Sequence, residues 1–156
     1  MCNRLPIIGV IGAGECTDDI KNDAYLVGKT IAENGGIMVC GGMGGVMEAA
    51  AKGAKENSGI TIGVLPSAEK SNANKYIDIV IPTGMGKARN VIIVNTADAL
   101  VALPGKYGTL TEIAFALHTN KPIISVSSWS FDEQIIQNQN PVEAVQAIMK
   151  LIGAVS

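Results

Sequence analysis

Short apolar runs, each closed by Gly, Pro or Asn, alternate with longer stretches of helical spacing from one end of the chain to the other. The runs are PIIGVIG (6–12), GIMVC (36–40), ITIGVL (60–65), YIDIVI (76–81), ALVALP (99–104) and PIISVS (122–127). Their near-continuous apolar character is that of strands covered on both faces, since half-exposed strands alternate apolar with polar residues. Between them stand DDIKNDAYLVGKTIAENG, GGVMEAAAKGAKENSG, GKARNVIIVNTA and GTLTEIAFALHTNK, and NPVEAVQAIMKLIG follows the last. In the first of these Ile20, Ala24, Val27 and Ile31 share one helical face, and Asn34-Gly35-Gly36 supplies the stop. Alternation of this kind requires βαβ crossovers. The chain is therefore expected to form a Rossmann-like, doubly wound α/β domain, with a mostly parallel sheet and helices on both faces. With 156 residues it makes one domain, 1–156. Such sheets bind ligands beyond the carboxyl ends of their strands, which is where the glycine-rich segments fall. The polar stretch PSAEKSNANK (66–75) reads as a loop.

Composition narrows the function classes. Hydrophobic residues make up 47% of the chain and charged residues 17%, so part of the apolar surface is expected to meet another subunit, in a homodimer or homotetramer. A net charge of −2 offers no broad basic field, and neither nucleic acid nor an anionic membrane is an expected partner. No stretch reaches the roughly 18 apolar residues of a membrane span, and the glycine-broken start lacks the apolar core of a signal peptide. Cys2, Cys16 and Cys40 are odd in number and form no C-x-x-C pair, which argues against a disulfide framework or a zinc site. Reduced thiols in a soluble, unprocessed, cytoplasmic protein are the expectation.

Three glycine-rich segments follow strands. GVIGAGECT carries Gly12 and Gly14 of a dinucleotide fingerprint, but Thr17 stands where the third glycine belongs, and no acidic residue closes the second strand. A standard NAD site is not expected, and the two glycines either touch a ligand or simply allow a tight turn. CGGMGGVMEAAAKGA places Gly41, Gly42, Gly44 and Gly45 between a strand and a helix, where bare amides and a positive helix end could cradle a phosphate. No Gly-Lys-Ser/Thr closes the segment, so it is no ATP-hydrolysing P-loop, and close helix-to-sheet packing is the other reading. TGMGKARN puts Lys87 and Arg89 at the start of an apolar helix, where Arg89 needs a partner: a ligand phosphate, or a carboxylate such as Glu112.

In LPGKYGTLTE, Thr109 and Glu112 have the spacing of a capping box, in which the carboxylate returns to the N-cap amide. On spacing alone the cap is the expected role. Gly105 and Gly108 flank the turn, however, and a carboxylate beside a guanidinium at strand ends also suits a sugar-phosphate site. His118, the single histidine, lies near the end of its helix and is expected to have no catalytic part, and Trp129 is expected to pack.

PGKYGTLTE resembles the P-G-G-x-G-T-x-x-E signature of the LOG-like proteins, often mislabelled lysine decarboxylases, and CGGMGGVM resembles their G-G-G-x-x-G-x-M segment. The resemblance runs from the first strand to the last helix. GGVMEAAAKGA, GVLP, TGMGKARN and GTLTEIAFAL look closest to the branch containing the molybdenum cofactor carrier proteins. Three places depart from the family pattern: Lys106 for the second glycine of P-G-G, Cys40 for the first glycine of G-G-G, and Gly86-Lys87-Ala88-Arg89 for the plant enzymes' His-x-Arg-Lys.

The resemblance implies a Rossmann-like homo-oligomer with a phosphate site near the subunit interface. The family's enzymes hydrolyse the N-glycosidic bond of nucleoside 5′-monophosphates. Carried over by position, Glu112 would meet the ribose and favour the positive charge developing at C1′, Arg89 would position the substrate, and Gly105, Gly108 and Thr109 would hold the phosphate, with Lys106 as an added cation. The leading expectation is a carrier or sensor of a phosphorylated nucleotide-like or pterin-like molecule, with no cofactor required and the molybdenum cofactor or a nucleotide as the bound ligand. A nucleoside 5′-monophosphate phosphoribohydrolase and a structural oligomer with a vestigial site are the alternatives. Pyridoxal phosphate-dependent lysine decarboxylation is excluded, because such domains are usually much larger and need partners for the cofactor ring.

Overall fold

The structure is a computed structural model that describes residues 4–155; Cys2 lies outside the described residues. Seven strands alternate with five helices: β1 (Ile7–Ile11), α1 (Asp18–Glu33), β2 (Ile37–Cys40), α2 (Val46–Glu56), β3 (Ile60–Leu65), β4 (Ile79–Pro82), α3 (Asn90–Thr96), β5 (Ala99–Ala102), α4 (Tyr107–His118), β6 (Ile123–Ser125), β7 (Ile135–Gln137) and α5 (Pro141–Leu151). The strands form one sheet in the order β4-β3-β2-β1-β5-β6-β7, and every neighbouring pair is parallel. The Rossmann-like expectation holds, in the stricter form of a sheet that is entirely parallel.

Each face of the sheet buries its own core. Ile8, Val10, Met38, Cys40, Ala99 and Val101 point towards α1, α2 and α5, where they meet Ala24, Val27, Ile31, Ala50, Ala144 and Ile148. Ile11, Val39, Leu100 and Ala102 point the other way, towards Ile93 and Val94 of α3 and Ile113 and Ala116 of α4. Apolar residues on consecutive positions are thus used on opposite faces, which is why the strands read as unbroken apolar runs. The predicted stripe of α1 is buried as expected at Ala24, Val27 and Ile31. Glycines let α1 and α2 meet backbone to backbone: a Cβ on Gly28 would lie 1.8 Å from the Ala50 carbonyl oxygen, and one on Gly53 would lie 2.0 Å from that of Tyr25. At α5, the Asn140 side chain accepts hydrogen bonds from the amides of Val142 and Glu143, with Pro141 at the first helical position.

Three elements differ from the sequence-based expectation. β7 was not expected; it is three residues long, and only Ile135 of the three is buried. β4 starts at Ile79 instead of residue 76, because Tyr76–Asp78 is held as a turn. There the Thr61 hydroxyl donates to the Tyr76 carbonyl (2.6 Å) and the Asp78 carboxylate accepts the Thr61 amide (3.0 Å). β4 is also only partly covered, as befits the sheet edge. Finally, the stretch 86–97 opens as a 3₁₀ turn, Gly86–Arg89, and only then becomes α3.

Candidate functional site

β1 lies between β2, which follows it in the chain, and β5, which comes after the crossover. This is the topological switch point, where the loops leaving neighbouring strands diverge and leave a crevice. A cleft of about 490 Å³ opens there. Its walls come from the β1–α1 loop (Gly12, Gly14, Glu15), the β2–α2 loop and the first turn of α2 (Gly41, Met43, Met47), the 3₁₀ turn and first residue of α3 (Lys87, Arg89, Asn90) and the start of α4 (Lys106, Gly108, Thr109, Glu112).

Arg89 is anchored on the β2/β3 side. Its Nε donates to the Val64 carbonyl at 2.8 Å, and its Nη1 donates to the side-chain oxygen of Asn90. The guanidinium packs close to Gly41, where a Cβ would come within 2.6 Å of Nη2, so that position must be glycine for Arg89 to adopt this pose. Asn90 is buried and carries the connection onward: its Nδ2 donates to Thr111 Oγ1 (3.0 Å), which itself donates to the Gly108 carbonyl (2.6 Å). Arg89 and the first turn of α4 are thereby tied together through polar side chains.

Glu112 is not a capping residue. α4 begins at Tyr107 with Lys106 as its N-cap and no side-chain cap, so Thr109 is the third helical residue and Glu112 belongs to the second turn. The residue is only 7% exposed and lines the cleft, and among the described residues its carboxyl group has no hydrogen-bond partner and no cation within 4 Å. Burial pushes its pKa up to about 8, against the opposing pull of Arg89. Burial likewise lowers the Arg89 pKa, while Glu112 and then Cys40 favour its charged form. Burial thus opposes the charge on both groups, while each favours the charge on the other. Cys40 is wholly buried beneath the site, and burial pushes its thiol up to about 12, so it is an inert packing group.

Of the glycines singled out in the sequence, Gly12, Gly14, Gly41 and Gly108 line the cleft; Gly42, Gly44, Gly45 and Gly105 do not. Gly42 packs on Gly63 and Leu65, and Gly44 sits near the Gly14 carbonyl. Gly45 has φ +62 and is pressed against the β1–α1 loop, where a Cβ would lie 2.3 Å from the Ala13 oxygen. The first amide of α2, on Val46, is spent on that same oxygen (3.0 Å). Gly105 makes room for Thr109, whose Oγ1 would be 2.0 Å from an added Cβ, while Gly108 has open space where a side chain would go. Lys106, with φ −100, has an ordinary backbone for a side-chain-bearing residue.

Two positioning residues, Asn90 and Trp129, were not legible as such in the sequence. The Trp129 indole donates to the Gly105 carbonyl (3.1 Å), pinning the turn that opens α4. His118 falls in the last turn of α4, away from the cleft. Among the described residues no group of three His, Cys, Asp or Glu side chains gathers to hold a metal, and no helix is long and apolar enough to cross a membrane.

An entirely parallel, doubly wound sheet with Arg89 and the buried Glu112 at its switch point defines a Rossmann-like domain. The chain belongs to the SLOG cluster4 family, whose model matches residues 5–152, in agreement with the LOG-like motifs. A molybdenum cofactor binding protein from Rippkaea orientalis superposes with a TM-score of 0.91 at 38% identity, covering 96% of this chain and 99% of that one. The molybdenum cofactor carrier protein of Chlamydomonas reinhardtii gives 0.89 at 34% identity, with the same coverage. An uncharacterised protein of Archaeoglobus fulgidus is 48% identical over 91% of this chain and 93% of its own length. The cytokinin riboside 5′-monophosphate phosphoribohydrolase of Mycobacterium tuberculosis is 37% identical over 68% of this chain and 62% of its own length.

Proposed function

We propose that this protein binds a phosphorylated nucleotide-like or pterin-like small molecule and acts as its carrier or sensor, in the manner of the molybdenum cofactor carrier proteins it is similar to. The observation that carries this reading is the cleft itself. It joins a fixed guanidinium, a buried unpartnered carboxyl and the open start of α4 at the one place where a doubly wound sheet accepts ligands. On this reading the first turn of α4, with Lys106, Gly108 and Thr109, takes the phosphate. Arg89 and Glu112 orient the ring-bearing part, and Gly12, Gly14 and Gly41 admit it by having no side chain. Gly42, Gly44, Gly45 and Gly105 serve packing. The protein works in the cytoplasm as a homodimer or homotetramer, which would cover the exposed Phe115 and Ala114 on the outer side of α4. Isothermal titration with AMP, other nucleotides and a molybdopterin-type ligand tests the reading. Saturable heat is expected from at least one of them, and silence from all, with no thermal shift, would overturn it in favour of a structural oligomer.

The relative from M. tuberculosis favours a second reading, hydrolysis of the N-glycosidic bond of a nucleoside 5′-monophosphate. An ionised Glu112 would stabilise the cation developing at C1′, whereas a protonated one would not. Hydrolysis on this reading therefore rises through about pH 8 as Glu112 ionises. Chromatographic detection of free adenine from AMP between pH 6 and 9.5, lost in Glu112→Gln, would establish it; no release at any pH leaves the carrier.

A further inference from the structure

Arg89 and Glu112 line one cleft and feel each other's charge without pairing. Arg89 is held on its own wall, its Nε donating to the Val64 carbonyl at 2.8 Å and its Nη1 to the Asn90 side chain. Its Nη2 has no acceptor among the described residues. Glu112 is buried, and neither oxygen of its carboxyl group has a hydrogen-bond partner among the described residues. A buried carboxyl without donors carries a desolvation cost that a bound donor offsets, so Glu112 marks where a ligand brings N–H or O–H groups. The walls beside it suit a flat ring. Gly12, Gly14 and Gly41 have no side chains, and Met43 and Met47 bring thioethers, which pack well on aromatic rings.

Donor and acceptor types restrict which ring. A guanidinium only donates, so the ring atom beside Arg89 must be an acceptor; an ionised carboxylate only accepts, and its two oxygens match two adjacent N–H groups. A carbonyl, a ring N–H and an amino group follow one another on the 2-amino-4-oxopyrimidine edge of guanine and of pterins. Hypoxanthine lacks the amino group, and adenine sets a bare nitrogen beside its amino group and so offers a carboxylate one donor. Resting on the reading that the cleft holds a nucleotide-like or pterin-like molecule, we propose that Arg89 and Glu112 select rings with the 2-amino-4-oxopyrimidine edge, Arg89 donating to the carbonyl and Glu112 accepting from the ring N–H and the amino group. This assigns Glu112 to the ring, whereas the LOG-like resemblance assigns it to the sugar. Burial pushes the Glu112 pKa up to about 8, so the ionised form grows between pH 7 and 8.5. Arg89, Lys87 and Lys106 on the cleft walls favour that form and Glu15 opposes it, while the Cys40 thiol beneath stays neutral. A protonated carboxyl donates once and accepts once, which suits adenine, so the preference for guanine widens as the pH rises.

The test titrates the full chain calorimetrically with GMP, IMP and AMP, which share ribose and phosphate, and with 6-carboxypterin, which has neither, at pH 7 and 8.5. Wild type at pH 8.5 is expected to bind GMP about tenfold or more tightly than AMP, with IMP between them, and to bind 6-carboxypterin. In Glu112→Gln the GMP and 6-carboxypterin affinities fall about tenfold, while AMP holds or gains, because a primary amide donates and accepts side by side as adenine requires. Glu112→Ala loses the preference without that gain. Cooperative thermal melting of the ligand-free variants separates these effects from misfolding. The inference is overturned if wild type binds AMP as tightly as GMP at both pH values. It is equally overturned if Glu112→Gln weakens GMP, IMP and AMP by one common factor, the mark of a contact to the shared sugar. In either case the cleft still binds a small molecule; absence of binding by the wild type to all four overturns the small-molecule reading itself, and this inference with it.

Discussion

Two helix starts in this protein carry the same kind of glycine-rich sequence and do opposite things. At α2, Gly45 is pressed against the Ala13 and Gly14 backbone, and the Val46 amide is already bonded to Ala13. At α4, Gly108 looks into open space on the cleft wall, and the first-turn amides have no intrahelical acceptor. The first start is a clasp that fixes the β1–α1 loop to α2; the second is left open to the cleft. Glycine enrichment at a helix start therefore reports only that something comes close to the backbone. Whether that is the protein's own chain or a ligand depends on what the fold places opposite.

Gly45→Ala should break this contrast most severely, because it puts a Cβ into the Ala13 carbonyl at a backbone conformation that side chains rarely adopt. A loss of about 3 kcal/mol or more is expected in urea unfolding. Stability equal to wild type would mean that the clasp is not tight.

Next in size is the pH dependence carried by Glu112. Its folded pKa, about 8, lies above its ordinary 4.5, so between those values the folded chain holds a proton that the unfolded chain has released. The associated stability is complete below pH 4.5, declines as the pH rises and is gone above about pH 8. Glu112→Gln, which cannot ionise, should lack that decline. Unfolding curves from pH 5 to 9 for the two proteins check it, and parallel curves would show that Glu112 is not held protonated.

Trp129→Phe removes the hydrogen bond to the Gly105 carbonyl while keeping an aromatic ring. A destabilisation of about 1 kcal/mol is expected, along with a several-fold loss of AMP affinity through the loosened turn. The same substitution leaves the α2 clasp untouched, so an effect on stability alone would confine Trp129 to packing. The smallest expected effect is that of Gly108→Ala. The new methyl meets nothing within 4 Å and replaces a glycine in the first turn of a helix, so stability should rise by about 0.5 kcal/mol. AMP binding measured on the same sample should weaken, since the methyl enters the cleft.

Much of the architecture was legible because periodicity and covering are local properties. Continuous apolar runs at β1, β2, β3, β5 and β6 require both faces of the sheet to be covered, and this restricts the fold to a few topologies. β7 escaped notice because a three-residue edge strand with one buried side chain carries too little pattern. The capping-box reading of Glu112 failed because spacing does not say where a helix begins. α4 starts at Tyr107, two residues ahead of Thr109, and this moves Glu112 from the cap to a buried second-turn position. Asn90 stayed invisible for another reason. Its partner Thr111 is 21 residues away, and a hydrogen bond across that separation leaves no trace in local spacing.

The order of residues alone determined that this chain would alternate strand and helix, cover its sheet twice and collect its glycines, Arg89 and Glu112 at one end of the strands, because each of these follows from side-chain periodicity within a single element. Tertiary structure decided which glycines meet a ligand-sized cleft and which meet backbone, and that Glu112 is buried and unpaired there. Burial and the direction of an open amide depend on what other elements bring opposite, a property that no segment possesses by itself.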